Sequence, residues 1–364
     1  MRSTLEDILL PVAAVLAALL LFGLFVLLGG LNPLDVWLLL FKGAFGDSYS
    51  WQNTLQRAAP LMLTALCVAI PARAGLVVIG GEGALVLGGL ATAAMAQALS
   101  SSLALSSPLT GSILVCGAAA VAGALWVMLA GWLRQYRGIN ETISSLLLAY
   151  VAIGLFKHLV EGPLRDPSSL NKPSTHALSE GLRIGGMAGT DVHWGLAIGV
   201  LACLAAEFWL RLTPSGFAVR VVGGNSRAAQ LVGLPASRLV LLACALGGAA
   251  AGVAGGVEVA AVHTSANAAL IAGYGYAGIL VAFMARHSPL AVIPVAILFG
   301  GFGAAGSLLQ RRLGMPDASV LVLQGMAFVL ILASEALRGR RWTWRAAPAP
   351  AAQVPAKPLV QGQP

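Results

Sequence analysis

Long, uninterrupted apolar runs constrain this chain more than any other feature. An α-helix needs about 20 apolar residues to cross the hydrocarbon core of a bilayer. Runs of about that length occur at 8–30, 56–73, 83–99, 109–133, 140–160, 192–213, 238–262, 269–286, 289–309 and 319–337. Only 10% of the 364 residues are charged, against about 25% in a typical soluble domain. The sequence therefore predicts an all-α, polytopic transmembrane bundle of about ten spans over residues 1–337.

Two glycine clusters interrupt these runs and predict broken helices. The first, GGEG at 80–83, opens the third run, and the second, GYGYAG at 273–278, lies in the short eighth run. Non-helical backbone at membrane depth is tolerated only where protein or a watery cavity covers it. If runs two to five and seven to ten are two inverted halves, the clusters hold matching positions, as expected along a substrate path. The predicted substrate-pathway residues are Gly80, Gly81, Glu82, Gly83, Tyr274, Gly275, Tyr276 and Phe283.

Glu82 is the strongest functional candidate among the few acidic residues within the runs, because a charge at membrane depth is costly. Two interpretations of its carboxylate remain open. In one it caps a half-helix or faces a cavity; in the other it binds the exposed amides of its own glycine break.

A different glycine pattern occurs in the run 238–262. Gly248, Gly252 and Gly256 recur there every four residues. On a helix they form one smooth stripe, against which a neighbouring backbone packs closely. These three glycines are therefore predicted helix-packing residues, and this run is expected to lie at the centre of the bundle.

The segment 213–238 is a basic, polar island between two apolar runs. A short helix is predicted over 225–233, because Asn225 is a favourable N-cap residue and Gly233, followed by Pro235, is a typical stop signal. The island is either an ordinary positively charged loop or a docking helix for a soluble partner. Both interpretations place it outside the bilayer.

The basic residues also predict the topology. Lys and Arg exceed Asp and Glu by 22 to 14, and they lie between the apolar runs, which indicates contact with membrane lipid rather than nucleic acid. Their bias places the N- and C-termini and the island in the cytoplasm. Residues 338–364 are expected to form a basic, Pro/Ala-rich disordered tail.

Several kinds of active site are excluded by the sequence. It contains no Gly-Lys dipeptide and therefore no phosphate-binding loop of a nucleotide hydrolase. Gly-X-Ser-X-Gly, His-Glu-X-X-His and Cys-X-X-Cys motifs are also absent. None of the five histidines has a second ligand at metal spacing. We therefore expect no metal, no cofactor and no catalytic site in this chain.

Three stretches resemble one known family. They are RAGLVVIGGEGA at 73–84, GINETISSLLLAY at 138–150 and YGYAGILVAFMARHSPLAVIPVAILFG at 274–300. All three are similar to segments of the integral-membrane permeases of bacterial ATP-binding-cassette importers for simple sugars and nucleosides. The third carries Ser288 where that family commonly has Asn before the proline. The resemblance extends from about Asn53 to Leu337.

The resemblance implies a permease that moves a nucleoside or simple sugar across the bacterial inner membrane by alternating access. It implies separate cassette ATPase subunits that bind ATP and Mg²⁺, a second permease (a related chain or another copy), and an extracytoplasmic substrate-binding protein or lipoprotein. The island then resembles the segment that couples the family's permeases to the ATPase. The matching coupling residues are Gly216, Arg220, Gly223, Asn225, Ala228, Ala229 and Gly233.

A second class of function also remains open, a self-contained transporter driven by an ion gradient. That mechanism needs a titratable carboxylate near the middle of the membrane, and Glu82 and Glu258 are the candidates. A membrane enzyme would require a catalytic constellation assembled from residues distant in the sequence.

Overall fold

The computed structural model describes residues 2–102, 108–187, 189–316 and 318–337, and within these ranges the chain is helical, with two isolated bridge pairs and no extended strand. The α-helices are α1 (Arg2–Leu28), α2 (Pro33–Phe41), α3 (Ser48–Arg73), α4 (Gly81–Ser102), α5 (Pro108–Arg137), α6 (Glu141–Glu161), α7 (Gly195–Leu212), α8 (Pro214–Gly224), α9 (Ser226–Leu231), α10 (Ala236–Val257), α11 (Tyr274–Met284), α12 (Pro289–Leu313) and α13 (Ala318–Leu337). π-Helical turns follow α2 at Lys42–Gly46 and α10 at Glu258–His263. The predicted tail at 338–364 lies outside the described residues.

Each of the ten apolar runs contains a helix, which confirms the prediction of an all-α membrane bundle of about ten spans. In the described part of the chain, seven helices are long and apolar enough to cross a membrane, namely α3, α4, α5, α6, α7, α10 and α12. The apolar segments Val12–Leu28, Ala268–Met284 and Ala318–Ser334 are shorter. Helix α11 has only 11 residues, which make about 16 Å of helix, so it covers about half of the bilayer core.

The two groups of helices α3–α6 and α10–α13 interlock. Helix α3 packs against α11 and α12, and α10 packs against α4 and α5, so the first helix of each group lies on the second and third helices of the other. Helix α3 ends at Arg73, and the residue that follows, Ala74, lies in the same cavity as Ala236, where α10 begins. The two first helices therefore run in opposite directions, as inverted halves require.

Helix α10 lies at the centre of the bundle, and its glycine stripe faces α5. Gly248 lies against the backbone carbonyl of Gly123, and Gly252 lies against the carbonyl of Ala119. Gly256 contacts the side chain of Ala119, whose Cβ would lie 3.0 Å from a Cβ added at this glycine. A side chain at Gly248 or Gly252 would overlap the α5 backbone, so these glycines set the distance between the two helices.

The described residues of the long connection, 162–187 and 189–194, fold over one end of the bundle, which we call the Asp191 end. The Gln56 side chain donates a hydrogen bond to the Asp191 carbonyl at 2.6 Å. The Thr175 amide donates to the Ala266 carbonyl at 3.0 Å. These contacts fix the connection both to the start of α3 and to the segment that leads from α10 into α11.

Candidate functional site

The first turns of α4 and α11 meet inside the bundle, and Glu82 joins them. Its Oε1 accepts a hydrogen bond from the Gly273 amide at 2.9 Å, and its Oε2 accepts one from the Gly275 amide at 2.6 Å. The Glu82 side chain is fully buried. A negative charge at a helix N-terminus is favoured because the first amides there lack partners within the helix. Glu82 therefore caps the half-helix α11, whose amides belong to the second glycine cluster and not to its own.

The glycines of both clusters allow this close meeting. Gly275 packs directly on the Glu82 backbone, so a side chain at that position would overlap the main chain. A Cβ added at Gly81 would lie 3.6 Å from Gly275, which is an ordinary contact. Added Cβ atoms at Gly80 and Gly83 would lie 3.0 and 2.7 Å from the α6 backbone. The first cluster is therefore wedged between α6 and the start of α11.

A cavity of about 560 Å³ adjoins this junction. Helices α3, α11, α12 and α13 and the residues just before α11 line it. Tyr274 and Tyr276 are among the lining residues, whereas the other six predicted pathway residues are not. Phe283 lies further along α11 and contacts Phe328 edge-on, at 6.0 Å between ring centroids. The structure thus brings the two tyrosines together at the cavity and places the first glycine cluster behind it.

Sequence reasoning missed two polar residues of this cavity, Arg57 and Gln324. Arg57 lies beside the Tyr274 hydroxyl. Gln324 lies on the apolar helix α13 and is only 8% exposed. Near Arg57, Glu258 contacts His263, with 3.6 Å between Oε2 and Nε2. A usable signal was present, because an arginine and a glutamine inside apolar runs are costly there and mark functional candidates.

The opposite end of the bundle, which we call the Asn225 end, presents α8 and α9 on its surface. The Asn225 side chain caps α9 by accepting hydrogen bonds from two first-turn amides at 3.1 and 3.0 Å. Gly233, with a φ of 82°, follows the helix in the left-handed conformation that glycine adopts readily. Leu231 and Val232 are 89% and 73% exposed, and Ala229 is the buried residue of α9. This end therefore carries an exposed ledge with apolar side chains.

Contacts connect this ledge to the chain on both sides of the Glu82 junction. Gly223, near the end of α8, packs on the carbonyl of Arg73, where the segment leading to α4 begins. The Arg73 Nε donates a hydrogen bond to the His287 carbonyl at 3.0 Å, in the turn after α11. Gly216 packs on the carbonyl of Trp209 and so holds α8 on α7. A displacement of α8 would therefore act directly on the segments that flank α4 and α11.

A basic cluster lies beside α8. Arg73, Arg211 and Arg220 line a cavity of about 270 Å³ together with Glu207, and Arg211 forms an ion pair with Glu207. Burial, followed by repulsion from Arg73, lowers the pKa of His287 to about 4. The His287 ring is therefore neutral near pH 7, and arginines supply the positive charge of this surface.

Comparisons with known proteins agree with one another. Residues 50–332 match the model of a family described as branched-chain amino acid transport system / permease component. The chain is 33% identical over 336 residues to the glucose ABC transporter permease protein of Haloferax volcanii, with 89% of this chain and 87% of that protein covered. It is 26% identical over 349 residues to the guanosine ABC transporter permease protein of Bacillus subtilis, covering 93% and 97%. Identity to the nucleoside ABC transporter permease protein of Lactococcus lactis is 27% over 310 residues, covering 82% and 84%.

Proposed function

Because this chain belongs to the branched-chain amino acid transport system / permease component family and is a multi-pass permease subunit of an ATP-binding-cassette importer, we propose that it translocates a nucleoside or a simple sugar. The names of its relatives support these two solute classes. Transport proceeds by alternating access. ATP and Mg²⁺ bind to separate cassette ATPase subunits, and this chain has no nucleotide site of its own.

One observation carries the mechanism: a contact path joins the exposed ledge at the Asn225 end to the buried junction of α4 and α11. The ATPase subunits bind α8 and α9. When these subunits close, they push Gly223 against Arg73. Arg73 passes this motion to the turn at His287 and so to α11. Because α11 is a half-helix held by a cap and not by continuous helix on its N-terminal side, it tilts more easily than a full span. Its movement opens or closes the cavity beside it.

The same mechanism assigns the orientation and the partners. The Asn225 end and both termini face the cytoplasm of a bacterial cell, and the Asp191 end receives the extracytoplasmic substrate-binding protein or lipoprotein. A second permease, either a related chain or another copy, completes the transporter.

An ion-gradient mechanism receives less support from the geometry. Both oxygens of Glu82 accept hydrogen bonds from backbone amides, which holds the carboxylate in place as a cap. Glu258 lies beside His263 and Arg57. Neither carboxylate is placed as a proton or sodium carrier that alternates between the two sides.

The test is ATP-driven uptake of guanosine and glucose by the permease reconstituted in liposomes with its ATPase and binding protein. We expect Arg220→Ala and Asn225→Ala to reduce uptake per ATP hydrolysed, since both alter the ledge. Arg312→Ala, which removes an exposed arginine at the far end of α12, is the matched control and should leave this ratio unchanged. Equal coupling in all four proteins would contradict the assigned docking surface. Uptake by the lone chain, driven by an ion gradient without ATP, would overturn the proposed function.

A further inference from the structure

The cavity of about 270 Å³ beside α8 lies where three membrane-spanning helices end. Arg73 is the last residue of α3, Arg211 lies in the last turn of α7, and Pro289 is the first residue of α12. All three residues line the cavity. Each of these helices is long and apolar enough to cross a membrane, so their ends mark its boundary. Trp209 in the last turn of α7 agrees with this depth, because tryptophan is enriched at the membrane–water interface. The cavity therefore lies at the level of the lipid headgroups.

Positive charge dominates this cavity. Three arginines, Arg73, Arg211 and Arg220, line it. Among the described lining residues the one carboxylate is Glu207, which pairs with Arg211. Within the described ranges, no ion pair involves Arg73 or Arg220. Two guanidinium groups therefore share the cavity without a counter-ion from the described residues, and the local field attracts an anion.

Helix α12 adds positive potential to the same place. It begins at the cavity with Pro289 and is 25 residues long, and the N-terminus of a helix carries partial positive charge because its first amides lack partners within the helix. In the described part of the chain, the N-cap residue Ser288 forms no side-chain cap. The Arg73 Nε donates a hydrogen bond to the His287 carbonyl at 3.0 Å, which holds this guanidinium beside the helix start. Arginine donors next to a helix N-terminus are suited to a phosphate group.

An exposed apolar stripe of α7 continues from the cavity. Its residues recur every three or four positions and so lie on one face of the helix; they are Leu201, Leu204, Phe208 and Leu212. Phe208 and Leu212 directly follow Glu207 and Arg211 in the sequence and are 60% and 71% exposed. The stripe extends for about 16 Å along the helix, which is about half of the hydrocarbon core and therefore about one lipid leaflet. A ligand with an acyl chain can use this surface, whereas free phosphate cannot.

We infer that the cavity binds the phosphate of an anionic phospholipid, with an acyl chain of the same lipid along the exposed stripe of α7. Arg73 and Arg220 supply the donors for the phosphate oxygens. A zwitterionic lipid also carries a cation, which these arginines repel, so the site favours a lipid with net negative charge. Basic pockets between membrane-spanning helices bind anionic headgroups in this way. The site goes beyond the proposed function, because no step of that function requires a lipid.

Melting temperatures of the full-length protein in detergent micelles test the inference, with phosphatidylglycerol replacing phosphatidylcholine stepwise. We expect the melting temperature to rise with the phosphatidylglycerol fraction and to saturate. Arg211→Gln should raise the half-saturating fraction about fivefold, which is the contribution of one arginine near an anionic headgroup. Glu207→Gln removes the carboxylate of the cavity and should lower that fraction; misfolding cannot explain two opposite shifts. Arg312→Gln makes the same exchange at an exposed arginine at the far end of α12 and should leave the fraction unchanged.

Three results would overturn the inference. Equal half-saturating fractions in Arg211→Gln and Arg312→Gln would show that phosphatidylglycerol acts on the general charge of the surface. An equal rise in melting temperature with inorganic phosphate in phosphatidylcholine micelles, reduced by Arg211→Gln, would identify a soluble phosphate as the ligand. ATPase subunits that bind in phosphatidylcholine micelles, and bind about fivefold less tightly to Arg211→Gln, would assign the cavity to an acidic side chain of the ATPase. None of these results depends on solute uptake, so ATP-driven import by the unaltered transporter tests the proposed function separately.

Discussion

The two glycine breaks are both rich in glycine but have different surroundings. In the first, every residue from Gly80 to Leu90 is buried. In the second, Ala272 is exposed, Tyr274 and Tyr276 are partly exposed, and all three line the cavity. The first break supplies the carboxylate that holds the junction together, and the second supplies the amides that it binds.

This difference assigns the two breaks different tasks. A segment with many buried contacts opens only at high free energy, whereas a segment at a cavity opens at lower free energy. We therefore expect α4 to be the fixed element during transport and α11 to be the moving one. Substitutions that act on one break and spare the other are the means to test this assignment.

The largest effect is expected from Glu82→Ala. It leaves the amides of Gly273 and Gly275 without their acceptor, and a hydrogen bond to a charged group contributes about 1.5–3 kcal/mol. The free energy of unfolding should fall by at least about 3 kcal/mol, measured as a lower melting temperature of the purified protein in detergent, and uptake should be lost. In the control Glu141→Ala, only a part-exposed pair with Arg134, 3.3 Å apart, is removed, and such pairs contribute about 0–1 kcal/mol. Equal melting temperatures for the two variants would show that Glu82 does not hold the junction.

The second prediction compares two glycines of the same break. An alanine at Gly275 overlaps the Glu82 backbone, so Gly275→Ala should cost about 3 kcal/mol and abolish transport. Gly273→Ala meets open space but has a φ of 81°, and the left-handed conformation costs alanine only about 1 kcal/mol. The two variants are compared by melting temperature and by uptake. A larger loss of stability and uptake in the Gly273 variant would show that the left-handed backbone at Gly273 matters more to the junction than the packing of Gly275 on the Glu82 backbone.

The helices and the two glycine breaks could be predicted from the sequence, because hydropathy and glycine spacing are local signals. The partner of Glu82 could not. Its carboxylate binds backbone amides 191 and 193 residues away, and backbone amides carry no sequence signature. Arg57 and Gln324 were missed for a related reason, since only the packing of α3 and α13 around α11 shows that they share a cavity. The polar island at 213–238 could be recognised from its composition. Its contact with Arg73 could not, because that contact depends on the fold.

A third prediction tests whether movement of the ledge is transmitted to α11 through the contact of Gly223 with Arg73. A Cβ at Gly223 would overlap the Arg73 carbonyl, whereas one at the adjacent Gly224 meets nothing within 4 Å. Gly223→Ala should therefore cost about 1–3 kcal/mol and reduce uptake per ATP hydrolysed. Gly224→Ala is matched in chemistry and should retain both stability and coupling. Normal coupling in the Gly223 variant would mean that force reaches α11 by another route.

The smallest effect concerns the far end of the moving half-helix and depends on pH. The His287 ring contacts Phe283 at 4.9 Å between centroids, and burial, followed by Arg73, lowers its pKa from 6.5 to about 4. The unfolded chain therefore takes up a proton more readily than the folded one between these values, so stability is complete above about pH 6.5 and is lost as the pH falls toward 4. The loss between pH 7 and 5 should be on the order of 1 kcal/mol, because the ring is only partly buried. His287→Phe keeps an aromatic ring against Phe283 and should make the melting temperature less dependent on pH over this range. An unchanged pH dependence in that variant would assign the acid sensitivity to groups elsewhere in the molecule and would leave the turn after α11 without a role in it.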